Sequence, residues 1–345
     1  MNRIDLIRPD APPLARLGPH PVGVQTLEPV NPAQPDVLAG GVSDRRIAVE
    51  LWYPARPGTA PGGSYQTLSR DGRTEVVLHG MAARDAVVAE GDFPLVILSH
   101  GYPGNRMLMA HLGENLASKG YRVASLDHPD STYGDPAYLG GQAFPSTLVN
   151  RPLDTRFVMD ALGGERVAIV GYSMGGYGAL LSAGARLTEA GMAAGGPLMA
   201  QLDGSVDHRL KAVVPIGPWG RQRSFFDAST VALPMLVLAG SLDEVSGYQA
   251  MRAIFEEARG ARILATFENA GHNAAAPYPA PVESYAPVPW LDFVPFEHYA
   301  DKVWDTVRMN NIAQHLITGF LDLHLKGETR DFGPDLPGIR LERRP

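Results

Sequence analysis

Three side chains of types that can together break an ester or amide bond stand in the chain order serine, carboxylate, histidine: Ser173, Asp243 and His272. A serine hydroxyl is a poor nucleophile at neutral pH. It needs a base within hydrogen-bond reach to take its proton, and the imidazole that serves as base needs a carboxylate to fix its tautomer. Ser173 is the centre of Gly171-Tyr-Ser-Met-Gly175, between the β-rich run Arg166-Val-Ala-Ile-Val170 and the small-residue segment Gly176-Tyr-Gly-Ala-Leu-Leu181. A sharp turn from strand to helix forces its central serine into a strained backbone conformation with the hydroxyl above the sheet. The flanking glycines are needed because side chains there would strike the neighbouring strand and helix. The pentapeptide alone is a weak signal in so Gly-rich a chain; its context gives it weight. The competing reading is a plain βα turn with Ser173 capping the helix.

Asp243 follows the apolar run Met235-Leu-Val-Leu-Ala239, and His272 follows a run ending at Glu268, so each is expected at the C-terminal edge of its strand, as Ser173 is. Glu244 is the competing acid, pointed elsewhere from the same loop. His100, His128 and His298 are the other histidines near the expected site; the first two follow strands upstream of the serine and are read as orienting loop backbone. The tetrahedral oxyanion of acyl transfer needs backbone donors. Ser99-His-Gly-Tyr-Pro-Gly104 must turn back toward the serine, so the amides of Tyr102 and Met174 are the two expected donors. A plain Gly/Pro loop is the competing reading.

Composition narrows the chemistry. The 345 residues contain no cysteine, which removes thiol nucleophiles, cysteine metal sites and disulfides. The net charge of −7, with basic residues interleaved among acidic ones, argues against nucleic acid as a partner. The longest apolar runs, such as Pro94-Leu-Val-Ile-Leu98, are too short to span a bilayer. The first ten residues lack the apolar core of a secretory signal, so a cytoplasmic location is expected. No metal or organic cofactor is required, and a homodimer is left open.

The elements that must position these groups alternate between β-rich runs and helical spacing, the pattern of a mostly parallel sheet covered on both faces. Eight strands are expected, at 22–27, 46–53, 95–99, 121–126, 166–170, 210–216, 235–239 and 262–268. The first two look antiparallel; the other six are nearly continuous apolar runs, as strands buried on both faces should be. Helices are expected over 105–119, 152–162, 174–185, 248–259 and 301–325. The chain is expected to form a single α/β domain over 1–345, with an N-terminal extension over 1–20 along the surface and insertions near the site at 186–207, forming a small cap, and at 273–300. The second insertion starts at His272 and carries six aromatics, among them Tyr278 and Trp290, which are expected to wall a substrate pocket.

Together these residues resemble the α/β-hydrolase superfamily over roughly residues 20 to 325. The similarity is nearest to the serine branch that joins dienelactone-hydrolase-like enzymes, bacterial relatives of platelet-activating-factor acetylhydrolase and polyester-degrading cutinases. Gly18-Pro-His-Pro-Val-Gly-Val24 with Val49-Glu-Leu-Trp-Tyr-Pro54 looks like the N-terminal hairpin of the acetylhydrolase-like group. Two departures stand out. Ser173 occupies the place of the dienelactone hydrolase cysteine, and the acid position of mammalian acetylhydrolases reads Ile216-Gly-Pro-Trp-Gly220, without a carboxylate. The resemblance therefore implies that the acid is Asp243, one strand later, as in cutinases, and that Trp219 matches the cutinase tryptophan that clamps an aromatic acyl group. It implies a serine carboxylic ester hydrolase acting through an acyl-enzyme on small to medium hydrophobic or aromatic esters. An amidase or peptidase with the same triad, and a non-catalytic binding protein of the same fold, are the alternatives.

Overall fold

The computed structural model describes residues 1–202, 204–333 and 336–345. Ten strands form one sheet: β1 (Val22–Leu27), β2 (Val49–Pro54), β3 (Ala83–Arg84), β4 (Leu95–Ser99), β5 (Arg122–Leu126), β6 (Val167–Tyr172), β7 (Leu210–Ile216), β8 (Met235–Gly240), β9 (Arg262–Phe267) and β10 (Ile339–Arg344). Their order is β10-β9-β8-β7-β6-β4-β5-β2-β1-β3. The run from β9 to β5 is parallel, while β2 and β1 pair antiparallel beyond it and β10 lies antiparallel on β9. All eight expected strands are present; the two additions are edge strands. β3 is two residues long, and the polar Arg-Leu-Glu-Arg-Arg of β10 carries no buried-strand pattern.

The apolar runs of the parallel strands divide their side chains between two cores. In β4, Val96 and Leu98 face one side, where the helices Ala110–Ala117 and Thr306–Leu321 pack; Leu95 and Ile97 face the other, against the helices Phe144–Leu162, Met174–Ser182 and Tyr248–Glu257. The chain leaves β4 for β5 on one side and returns to β6 on the other. The carboxyl ends of β4 and β6 therefore flank a topological switch point, where an open α/β sheet has its natural crevice.

Two helices differ from expectation for identifiable reasons. The sequence places a start at Pro152, because proline suits the first helical position; the helix instead begins at Phe144 and runs through it. The turn upstream is held by Thr147 Oγ donating to Ala143 O and Asn150 Nδ2 donating to Ser146 Oγ. At the C-terminus the helix starts at Thr306, where the Asp305 carboxylate accepts from Arg308 N, not at 301. Asp301 is left in the preceding loop and is used elsewhere.

The N-terminal segment is tied down: Asn2–Arg3 pair with Leu78 and His79, Leu14 N donates to His315 Nδ1, and Asn115 Nδ2 donates to Ala15 O. Residues 186–207, of which Asp203 lies outside the described residues, form the short helix Glu189–Gly195 and the 3-10 turn Pro197–Gln201 against Phe144–Leu162. No helix among the described residues is long and apolar enough to cross a membrane.

Buried imidazoles, His111 and His128 among them, should make the fold acid-labile. Burial pulls His111 down to about 3 and His128 to about 4, from the usual 6.5 of an imidazole. Between those limits the unfolded chain binds more protons than the folded one, so the stability is complete above pH 6.5 and is lost as the pH falls toward 4. Each imidazole should contribute on the order of 2 to 3 kcal/mol of the loss between pH 7 and pH 4.5. Urea unfolding across that range measures it; His111→Leu should flatten the slope, and an unchanged slope would refute the assignment.

Candidate active site

Ser173 leaves the end of β6 with φ 54° and ψ −113°, a conformation rare for a side-chain-bearing residue, and starts the helix Met174–Ser182. The neighbouring glycines explain how the turn fits. A Cβ on Gly171 would lie 2.1 Å from Gly175 O, and one on Gly175 would lie 2.0 Å from Ser99 O, both backbone atoms that cannot step aside. The backbone of the turn is held from outside, with Ser173 N donating to Ile216 O and Trp219 N donating to Ser173 O.

Asp243 sits past β8 and His272 past β9, and both turn toward the serine. His272 Nε2 lies 3.0 Å from Ser173 Oγ, and His272 Nδ1 lies 2.8 Å from Asp243 Oδ2. The other Asp243 oxygen accepts from Val245 N and Ser246 N, each at 2.8 Å, so the buried carboxylate is held by its own loop. Glu244, the competing acid, is exposed. The histidine loop is anchored by Asp301, whose carboxylate accepts from Gly271 N at 2.7 Å. Tyr172 stacks against the imidazole at 5.2 Å and donates to Asn273 Oδ1.

Gly217 lies beside the acid and the base. It occupies the Ile216-Gly-Pro-Trp-Gly220 position after β7, and a Cβ there would lie 3.5 Å from His272 Nδ1 and 3.6 Å from Asp243 Oδ2. Those are ordinary van der Waals distances; the constraint at Gly217 is its φ of 51°, a backbone conformation that side chains rarely adopt.

Tyr102 and Met174 both line the cleft in front of Ser173, and among the described residues neither amide donates to a protein acceptor. The loop carrying Tyr102 is gripped from below by Arg151, a residue the sequence reading did not single out. Its guanidinium donates to the carbonyls of His100 and Gly101 and, at 2.8 Å, to Ser131 Oγ. Burial, partly offset by the field of Asp154, pulls this arginine down to about 9. His100 Nδ1 donates to Gly101 O, while its Nε2 accepts from His128 N. His128 bridges Ser99 Oγ and Asp154, and Asp154 is paired with Arg45. Arg151 was hidden from sequence because the expected helix began one residue after it.

The cleft encloses about 430 Å³. Trp219 lines it, packed edge-on against Phe144 at 5.6 Å and Phe225 at 5.5 Å. The insertion over 273–300 contributes Asn273, Phe293, Glu297 and His298. Two expected wall residues do not take part. Tyr278 is fully buried, stacked on Tyr299 with its amide donating to Leu108 O; this phenol fills the core. Trp290 lies outside the cleft, its Nε1 donating to Asp71 O and its ring under the Arg73 guanidinium. No described residue of 186–207 is among those lining the cleft. Large aromatics bury most area where the loop meets the body, so an aromatic-rich loop marks packing as readily as a pocket.

Comparison with known proteins agrees with this architecture. Residues 94–186 match the family model described as alpha/beta hydrolase fold. The ferulic acid esterase from Streptomyces cinnamoneus superposes with a TM-score of 0.70 over 99% of each chain, at 22% identity. The chain has the α/β-hydrolase fold. Cutinase 1 of Thermobifida cellulosilytica is 29% identical over 157 residues, which is 44% of this chain and 48% of that one. The bis(hydroxyethyl) terephthalate hydrolase of Streptomyces coelicolor is 26% identical over 160 residues, 46% of this chain and 42% of that one. The chain thus spans a little under half the length of the curated relatives it matches.

The contacts of Gly175 set a test of the turn. Gly175→Ala should lower the free energy of unfolding by about 1 to 3 kcal/mol, because the added methyl overpacks against backbone. Urea denaturation reads the change; undiminished stability would mean that the turn can widen.

Proposed function

We propose that the chain is a serine carboxylic ester hydrolase of small to medium hydrophobic or aromatic esters, with Ser173 as nucleophile, His272 as base and Asp243 as its orienting acid. The observation that carries the reading is the unbroken line from Asp243 Oδ2 through the imidazole to Ser173 Oγ, ending at a cleft with two unspent backbone amides. The names of the relatives, cutinase and bis(hydroxyethyl) terephthalate hydrolase, support ester chemistry.

His272 Nε2 takes the hydroxyl proton as Ser173 Oγ attacks the ester carbonyl, and the amides of Tyr102 and Met174 receive the negative charge on the carbonyl oxygen. Asp243, holding Nδ1–H, stabilises the imidazolium. The proton passes from Nε2 to the leaving alkoxide, and the acyl group remains on Ser173. Water, deprotonated by the same nitrogen, releases the acid and restores the hydroxyl. The partner required is one small ester molecule; this chemistry calls for neither the homodimer nor the cytoplasmic location expected from sequence.

Two outcomes test the assignment. Ser173→Ala should reduce turnover of p-nitrophenyl acetate and butyrate by about 10⁴-fold or more and abolish labelling by a fluorophosphonate probe. Retained turnover would remove Ser173 as nucleophile. Trp219→Ala should lower kcat/KM for a phenyl-bearing acyl ester by about 10-fold relative to the acetate, in keeping with about 1.5 kcal/mol of aromatic contact. An equal effect on both esters would assign Trp219 to packing alone.

A further inference from the structure

Rings that line and back the cleft form a continuous arc with a cation at one end, Tyr138 standing behind the lining residues Trp219, Phe144, Tyr102 and Arg70. Trp219 packs on Phe144 at 5.6 Å, Phe144 on Tyr102 at 6.0 Å and Tyr102 on Tyr138 at 5.1 Å. Beyond Tyr138 comes Arg70, whose Nη2 donates to the Tyr138 hydroxyl at 3.1 Å. Its guanidinium lies over the Phe293 ring at 5.1 Å and over Tyr133 and Tyr138 at 5.9 Å. Arg70 is half-buried and lines the same cleft as Ser173.

Among the described residues Arg70 makes no ion pair. The adjacent Asp71 is turned away: its carboxylate accepts from Arg73 N, Thr74 N and Thr74 Oγ1. Among the described residues that line the cleft Glu297 is the one carboxylate; it is exposed, and it also borders the separate depression beyond His272. Ring faces stabilise the cation without consuming its in-plane N–H groups, so all but the one given to Tyr138 stay available to a ligand. Planar N–H pairs of this kind match a carboxylate.

Tyr102 stands mid-arc, and its amide is the proposed oxyanion donor, so an ester held there extends one arm toward Trp219 and the other toward Arg70. We propose that Arg70 is a specificity-determining residue, and that the site takes esters carrying a carboxylate on the arm directed away from Trp219. This rests on the esterase reading for the reaction, but not for the binding of the anion.

Two substrate pairs place the carboxylate on either arm: methyl 4-carboxybenzoate against methyl 4-carbamoylbenzoate, and 4-acetoxybenzoate against 4-acetoxybenzamide. In Arg70→Gln, the ratio of kcat/KM for the anionic to the neutral member should fall about 10- to 100-fold in at least one pair, mainly through KM, the range expected for a lost charge-assisted contact. Arg70→Lys should recover part of the ratio. A ratio unchanged in both pairs overturns the proposal. Calorimetry of terephthalate binding to Ser173→Ala, with and without Arg70→Gln, separates the two readings. If no ester turns over but terephthalate binding still weakens at least 10-fold without Arg70, the anion site stands and the esterase reading falls. If terephthalate binds equally well without Arg70, the anion site falls whatever the turnover.

Discussion

A serine backbone at positive φ, wedged between a parallel strand and the helix that follows, is the constraint on which the rest of the site depends. Such a conformation costs of order 1 to 3 kcal/mol and persists only where its surroundings over-determine it. Here they do: backbone atoms of Ser99, Gly175 and Ile216 close on the turn from three sides, and the two glycines are the residues without which those approaches fail. The same closeness presses the carboxyl end of β4 against the turn, so the loop that presents Tyr102 starts beside the serine.

That loop is held by charge as well as by the packing of the Tyr102 ring. A buried arginine without hydrogen bonds would be severely destabilising, yet Arg151 donates to two consecutive loop carbonyls and a serine hydroxyl, and the field of Asp154 offsets part of its desolvation. His128, kept neutral by burial, links the Asp154 end of this network to Ser99 at the start of the loop. The result is a hydrogen-bonded frame behind the amides of Tyr102 and Met174, as the proposed oxyanion stabilisation needs, since donors that must reorganise during the reaction lose most of their effect.

Charge is treated differently on the open side of the cleft. Arg151 is enclosed and both its Nη groups donate to the loop and Ser131; Arg70 is supported by rings and, among the described residues, makes no ion pair. The contrast between one arginine spent on structure and one held ready distinguishes the two in a chain whose other cleft-lining groups are chiefly aromatic or neutral.

Sequence by itself determined the parallel core and the three residues that meet in front of it, because continuous apolar runs specify strands buried on both faces and because each of the three follows such a run. The Gly-flanked Ser173 was legible for a local reason: only glycine fits where backbone meets backbone within a few residues. The edge strands β3 and β10, one too short and one too polar to show a buried pattern, were not legible, nor was the helix running through Pro152. Tyr278 and Trp290 carried the composition of a pocket but joined the packing of their loop. Arg151 and Arg70 come from a helix interior and a surface turn, with no motif around either. Their roles are set by which carbonyls, rings and carboxylates lie near them across separations of tens of residues, and only tertiary packing brings a ring-supported cation and the Ser173 hydroxyl to one cleft.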